Sequence, residues 1–389
     1  MSGKQCKCGK KRVSCCSPLP SASIFPPISS PPCEPPTYHN TQTILITYNS
    51  GSFNVTLNKT GTLMALGFPY GMGIYSLGND NIFTLTATKG VYTLGLSSNY
   101  SGYPGSSSPD ISFAILVQNN ANPVQMELYG YTHSSPDLIL LDSVQTQLLS
   151  GSPSIGYLGN TYIFNDVSDN RVNYRYTDMN VINWVTIPGP ESTIPQPSTL
   201  QPYIISPNSN YPRGRLIGTN VNGKLFIYNT LDTNNYLTVQ MPLVHNYALT
   251  STRIGCNYDG SLIAVCSYYN DGKTNSSLYV YSYNGTSAIP IFQTEIPDTI
   301  NTNIGESVTM SMDGKTIVVG KLSSESEIIL ITYKSCDLAV WDFSQIITAG
   351  NTNAVYCLSP DGNRLVTAVT STEPVTDSVS VYQISNTLG

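Results

Sequence analysis

Charge is scarce in this chain: charged side chains are 11% of its 389 residues, where about 25% is usual for a globular domain. Long hydrophobic runs are missing too. No stretch approaches the roughly 18 apolar residues needed to cross a bilayer, and the N-terminus lacks the apolar core of a secretory signal. A membrane span and a signal peptide are therefore not expected. Histidine occurs three times, at His39, His133 and His245, in three separate regions. Metal sites and Ser/His/Asp catalysis place a histidine near Cys, Asp or Glu partners, and no local neighbourhood of that kind exists here. A Gly-rich phosphate loop and an HExxH pair are absent as well. The expectation is no catalytic residue, no cofactor and no enzyme.

What fills the gap is Asn, Ser, Thr and Gly, together with 27 tyrosines. Such a surface has little charge repulsion and suits dense packing against neighbours; an AT-rich source genome would favour the same residues. The charge that exists is unevenly placed. Lys4, Lys7, Lys10, Lys11 and Arg12 stand against a single acid, Glu34, in the first 40 residues, although the whole chain has a net charge of −6. A basic tail on an acidic body argues against nucleic-acid binding by the body and leaves the tail as the place for an acidic partner.

The tail also holds Cys6, Cys8, Cys15, Cys16 and Cys33 of the nine cysteines. Cys6, Cys8, Cys15 and Cys16 suffice in number for a zinc site, but their spacing departs from the usual C-x₂-C pairs; intermolecular disulfides and reduced thiols on a disordered arm are the alternatives. Eight prolines between Pro18 and Pro36 follow. They cannot continue a helix or donate to a sheet, so residues 1–42 read as an extended arm. Cys256, Cys266, Cys336 and Cys357 lie in or beside expected strands and read as buried free thiols.

From residue 43 the chain becomes periodic. A tyrosine near the end of a short apolar strand recurs at Tyr75, Tyr129, Tyr176, Tyr228, Tyr281, Tyr333 and Tyr382, at intervals of 54, 47, 52, 53, 52 and 49 residues. Repeats of about 50 residues with turn signals inside each unit mark a repeat architecture. The last three units share one grammar: strand, Asp-Gly turn, strand, polar turn, strand ending in tyrosine. Their turns are Asp259-Gly260, Asp313-Gly314 and Asp361-Gly362, where glycine tolerates positive φ and aspartate bonds turn amides. These aspartates read as turn-formers. Fourth strands are expected at 81–87, 183–188, 237–243, 289–295 and 337–343, and the third unit is expected over about 132–188. Four antiparallel strands per unit, with little helix, make an all-β, seven-bladed β-propeller. The final unit lacks a fourth strand and residues 43–48, TILITY, are spare, so 43–48 is expected to pair with 378–384 and cover the open edge.

SPDGNRLVTAV with DSVSVYQIS, SMDGKTIVVG with EIILITY, and NYDGSLIAVCS with SLYVYSY resemble repeats of WD40-like and lactonase-like seven-bladed propellers. The likeness spans about 43–386 and is strongest over 250–386. Trp341-Asp342 resembles the WD dipeptide but falls on an expected fourth strand, and no recurrent Gly-His pair accompanies it. Residues 311–316 faintly resemble a sialidase Asp-box without its closing Trp. Arg213, Arg215, Arg253 and His245 are surface or channel-mouth candidates, and Asn54, Asn58, Asn99, Asn275 and Asn284 form glycosylation triplets.

The function expected from all this is structural or interactive. The composition is similar to that of structural proteins of large AT-rich DNA viruses, which implies a virion component, a minor capsid or capsid-surface protein. It would be held to other structural proteins by an arm in which Lys4, Lys7, Lys10, Lys11, Arg12 and Cys33 make the contacts. The expected location is the virion, or else the cytoplasm. The alternatives are a lactonase-like enzyme with its site at the channel mouth and a WD40-like peptide-binding scaffold.

Overall fold

The computed structural model describes residues 37–46, 54–68, 71–90, 93–99, 113–119, 125–132, 135–145, 154–155, 161–166, 171–178, 181–187, 203–205, 215–219, 224–229, 232–240, 251–268, 277–296, 307–322, 327–351, 355–369 and 377–384. Every regular element among them is a β-strand. They form seven four-stranded antiparallel sheets, each from strands consecutive in sequence except the last. We number these blades 1 to 7, beginning at Asn54, Thr93, Ser154, Tyr203, Ser251, Ser307 and Val355. Blade 7 takes its fourth strand from the other end of the chain: Tyr38–Ile46 runs antiparallel to Asp377–Ile384, with Ile44 opposite Val379.

This pairing matches the expected partner but not the expected boundary. The strand starts at Tyr38, so residues 38–42 belong to the sheet and not to an arm. The polar run His39-Asn40-Thr41-Gln42 hid it, because an outer strand has little to bury: His39, Asn40 and Thr41 are exposed while Tyr38 is buried. Other boundaries differ too, and the fourth strand expected at 237–243 is Asp232–Gln240. Ser135–Gln145, placed by the sequence in the third unit, is the outer strand of blade 2. The outer strand of blade 6 is Asp342–Asn351, and residues 336–339 form a bend ahead of it.

The core lies between blades. Val55, Leu57, Met64 and Leu66 of blade 1 pack with Val366, Ala368, Val379 and Val381 of blade 7, and Ile46 joins them. Leu262, Ala264, Cys266 and Val280 of blade 5 meet Met310, Ile317, Val319 and Ile331 of blade 6 in the same way. Each blade thus needs a neighbour to bury both faces, which is why a single repeat of this type would not stand alone.

The recurring tyrosine has a structural address. At five of the seven positions the step onto the tyrosine skips one residue of the outer strand: Thr86 opposite Ile74/Tyr75, Leu141 opposite Leu128/Tyr129, Ile291 opposite Val280/Tyr281, Ser344 opposite Thr332/Tyr333, and Thr41 opposite Val381/Tyr382. Each is a β-bulge, which bends the outer strand and sharpens its twist. In blades 1 and 7 the skipped residue is threonine, and its hydroxyl donates to the carbonyl just before the tyrosine, Thr86 to Ile74 O at 3.0 Å and Thr41 to Val381 O at 3.2 Å. Tyr129, Tyr281 and Tyr333 are buried in the cores between blades. Tyr129 donates to Glu127 Oε2 at 2.8 Å, whereas the buried hydroxyl of Tyr333 has no hydrogen-bond partner. A polar tip was expected to find a partner there; the aromatic packing is sufficient without one.

Candidate functional site

The turns between first and second strands share a chemistry that runs one residue deeper than Asp-Gly. Blades 1, 5, 6 and 7 open the turn with Asn58, Asn257, Ser311 and Ser359, and close it three residues later with Gly61, Gly260, Gly314 and Gly362 at φ of 63°, 65°, 75° and 74°. The side-chain oxygen of that first residue accepts a hydrogen bond from the backbone N–H five residues on, at 2.9 Å in all four blades: Leu63, Leu262, Thr316 and Arg364 are the donors. The aspartates brace the same turns. Asp259 accepts from the Ser261 N–H, Asp313 from Lys315 N–H and the Ser311 hydroxyl, and Asp361 from Asn363 N–H and the Ser359 hydroxyl. They act as turn-formers, as the repeated Asp-Gly implied.

These turns also join blade to blade. Tyr258 N–H donates to Met312 O at 2.9 Å, Met312 N–H to Pro360 O at 2.6 Å, and Asp361 N–H to Lys59 O at 3.0 Å. Pro360 has no N–H, so the next residue donates instead. Close approach is what the glycines allow: a Cβ on Gly362 would lie 3.1 Å from Ser311 Cβ and from Thr316 Oγ1 of blade 6.

A buried polar cluster sits where the N-terminal strand meets blade 6. The Tyr38 hydroxyl donates to Gly362 O at 2.6 Å, and Gln345 clamps the Tyr38 backbone, accepting from its N–H at 2.8 Å and donating to its carbonyl at 3.0 Å. Lys334 Nζ donates to Thr316 Oγ1 at 2.6 Å and to the Tyr38 hydroxyl at 3.4 Å, lying 4.9 Å from the Tyr38 ring centre. Burial pulls the Lys334 ammonium down to about 8, against the opposing pull of Asp313 and Asp361. Arg364 makes the corresponding link on the other side of blade 7, donating to Thr60 O of blade 1 at 3.1 Å. A second glutamine, Gln42, bridges blade 7 to blade 1 by accepting from Phe83 N–H at 2.8 Å and donating to Phe83 O at 3.2 Å.

Several residues singled out by sequence fall elsewhere. Cys6, Cys8, Cys15, Cys16, Cys33, Lys4, Lys7, Lys10, Lys11 and Arg12 lie outside the described residues, as do His133, His245 and Arg213. His39 is exposed, with its ring 3.0 Å from the Thr37 hydroxyl. Cys256 and Cys266 are buried thiols outside any disulfide and Cys357 is half-buried, with burial raising Cys256 to about 12 and Cys357 to about 11. Cys336 is different from the expected buried free thiol: it is exposed, since it lies in the bend after a strand and not within one, and it is disulfide-bonded. Asn58 is unsuited to glycosylation, since it is 3% exposed and both ends of its amide are bonded within the turn. Trp341 is not part of a WD-type third strand. It is buried ahead of the outer strand of blade 6, donates from its ring to Gly314 O at 2.9 Å, and packs on Phe292 at 5.6 Å. Among the described residues no group of three or more His, Cys, Asp or Glu side chains converges as a metal site, and no helix is long and apolar enough to cross a membrane.

No known family profile matches the chain, and no curated protein matches it in sequence. Solved structures do. The β-propeller domain of Cps50 (Swd1) from Myceliophteria thermophila is similar at TM-score 0.58 and 12% identity, over 88% of this chain and 100% of that one. The WD40 repeats of RRP9 are similar at TM-score 0.59 and 10% identity, over 90% and 100%. The fold is that of a WD40-like β-propeller. A chain in the crystal structure of the mitotic checkpoint complex is also similar, at TM-score 0.58 and 13% identity, over 97% of this chain and 99% of that one. At such identities the likeness carries the fold alone. The propeller reproduces it with its own chemistry: tyrosine bulges and Asn/Ser-headed turns stand where the expected WD dipeptides and Gly-His pairs do not occur.

Proposed function

We propose that this propeller is a non-enzymatic protein-interaction scaffold. The observation that carries the proposal is the use of polar groups at the turn face. The aspartates, serines and asparagines there are engaged in bonds that hold their own turns together. Three solved propellers of the same fold add support, one of them crystallised within a multiprotein complex. The scaffold reading thus gains on the structural-protein reading that composition first suggested. Cross-linking mass spectrometry on the native protein tests it: partner peptides joined to residues on the blades are expected. Metal-dependent ester or lactone turnover by the purified chain, without any recovered partner, would overturn it.

Residence in a virion is a finer form of the same proposal, supported by the low charge and the abundance of Asn, Ser, Thr and Tyr. Finding the chain in purified particles by mass spectrometry supports it. Incorporation unchanged after deletion of residues 1–36 would rule out anchoring through the basic, Cys-rich segment.

A further inference from the structure

We propose that Asn284 is a modification site, converted without an enzyme to isoaspartate and aspartate through a succinimide that the Gly285 amide closes. The inference goes beyond the scaffold reading and does not depend on it. Asn284 and Gly285 lie in the turn between the third strand of blade 5, Ser277–Tyr283, and its outer strand, Ala288–Glu295. Closing a succinimide there asks for a backbone nitrogen free to attack, room for the ring, and support for the charge that develops on the side-chain oxygen. The leaving amide nitrogen must also be unrestrained.

The nitrogen is free here and held elsewhere. Gly260, Gly314 and Gly362 follow Asp259, Asp313 and Asp361, and each donates its N–H back across its turn, to Asn257 O at 3.2 Å, Ser311 O at 2.9 Å and Ser359 O at 2.8 Å. Those three peptides are locked. Among the described residues, Gly285 is the one glycine following Asp or Asn whose N–H donates to no protein group. Room is present as well: a Cβ on Gly285 would meet nothing within 4 Å, whereas one on Gly314 would lie 2.6 Å from Leu262 Cδ1. Gly285 takes φ 100°, which glycine adopts without strain.

Four donors converge on the oxygen that takes the charge. Asn284 Oδ1 accepts from the Thr286 N–H at 3.0 Å and hydroxyl at 3.1 Å, and from the Ser287 N–H at 2.9 Å and hydroxyl at 3.2 Å. Attack at Cγ puts a negative charge on that oxygen, so these bonds are stronger in the transition state than in the resting amide and lower the barrier. Asn284 is exposed, and its amide nitrogen bonds to no protein group. The reaction balances with water alone. Gly285 N gives its proton to solvent and bonds Asn284 Cγ; the Cγ–Nδ2 bond breaks, and Nδ2 leaves as ammonia with a proton from solvent. Water then opens the ring at either carbonyl. One opening leaves aspartate in the chain, and the other routes the chain through the side-chain carbons as isoaspartate.

The test is peptide mapping of the purified full-length chain by mass spectrometry, after incubation in heavy-oxygen water at mildly alkaline pH, once native and once in urea. A deamidated Asn284 peptide that carries heavy oxygen and resolves into two isomers is expected, formed at least as fast in the native protein as in urea. Asn58 and Asn257, buried and bonded at both ends of their amides, stay intact in the native protein. Ser287→Ala and Thr286→Val, both at exposed positions, are each expected to lower the ratio of native to urea rates about threefold, the loss of one hydrogen bond in water. The urea arm separates the work of the turn from the ordinary lability of an Asn-Gly pair. Slower conversion in the native protein than in urea, or a ratio that ignores both variants, would overturn the proposal, and neither result touches the scaffold reading.

Discussion

Replacing Tyr38 tests whether the N-terminal strand is held by its first residue or by its ladder alone. The ring is 2% exposed, and its hydroxyl donates to Gly362 O and accepts from Lys334. Tyr38→Ala removes the whole aromatic from the junction of blades 6 and 7, a change that costs about 3–5 kcal/mol at a packed site. Tyr38→Phe keeps the packing but leaves the Gly362 carbonyl without its hydroxyl donor and Lys334 with Thr316 as its remaining hydrogen-bond acceptor. That loss is about 1–2 kcal/mol. The Gln345 clamp is unaffected in both, since it holds the backbone of residue 38. Urea unfolding, read by circular dichroism, should therefore order the midpoints as wild type, then Tyr38→Phe, then Tyr38→Ala. A double-mutant cycle with Lys334→Met isolates the Tyr38–Lys334 part. Equal midpoints for Tyr38→Ala and wild type, within about 0.5 kcal/mol, would refute the idea that this side chain fastens the strand.

Lys334 makes stability depend on pH. Its ammonium titrates near 8 in the fold and at about 10.5 when unfolded, so between those values the unfolded chain binds more protons. The penalty is complete below pH 8 and fades as pH rises. Relative to Lys334→Met, the wild type should gain about 1–2 kcal/mol between pH 7 and pH 9.5 in urea titrations; a flat difference would exclude it. Gly362→Ala, at φ +74° and 3.1 Å from Ser311 and Thr316, should cost about 1–3 kcal/mol, whereas Gly90→Ala, with nothing within 4 Å, should be close to neutral in thermal melts. Cys256 and Cys266, buried as thiols, should resist a thiol-reactive dye in the native protein and react on unfolding in urea; native labelling of either at the unfolded rate would contradict their burial.

The repeat was legible because strand periodicity and turn chemistry act locally. Asp-Gly and the spaced tyrosines announce a unit, and the missing last strand announces its completion from the other end. What escaped were features set by tertiary partners. Tyr38 and Gln42 look like part of a polar linker until blade 6 and blade 1 supply their partners. The bend at 336–339 reads as the start of a strand because Leu338, Ala339 and Val340 are apolar, yet Leu338 takes φ 62° there. The Asn or Ser that heads the turns of blades 1, 5, 6 and 7 was visible at a fixed spacing before the glycine, but it has no meaning until the register is known.

The bulge at the tyrosine bears on how the open rims of the blades are guarded. The outer rim of each blade is an open row of backbone donors and acceptors, and proteins usually guard such rows with lysines and other charges. Tyr38–Ile46 carries no Lys, Arg, Asp or Glu, and Phe83–Lys89 carries one. By kinking the strand midway in five blades, the bulge breaks the straight template that a neighbouring strand would need to zip onto. Where charge is scarce the guard is one of geometry, and a neighbour approaching the rim meets an interrupted ladder and side chains.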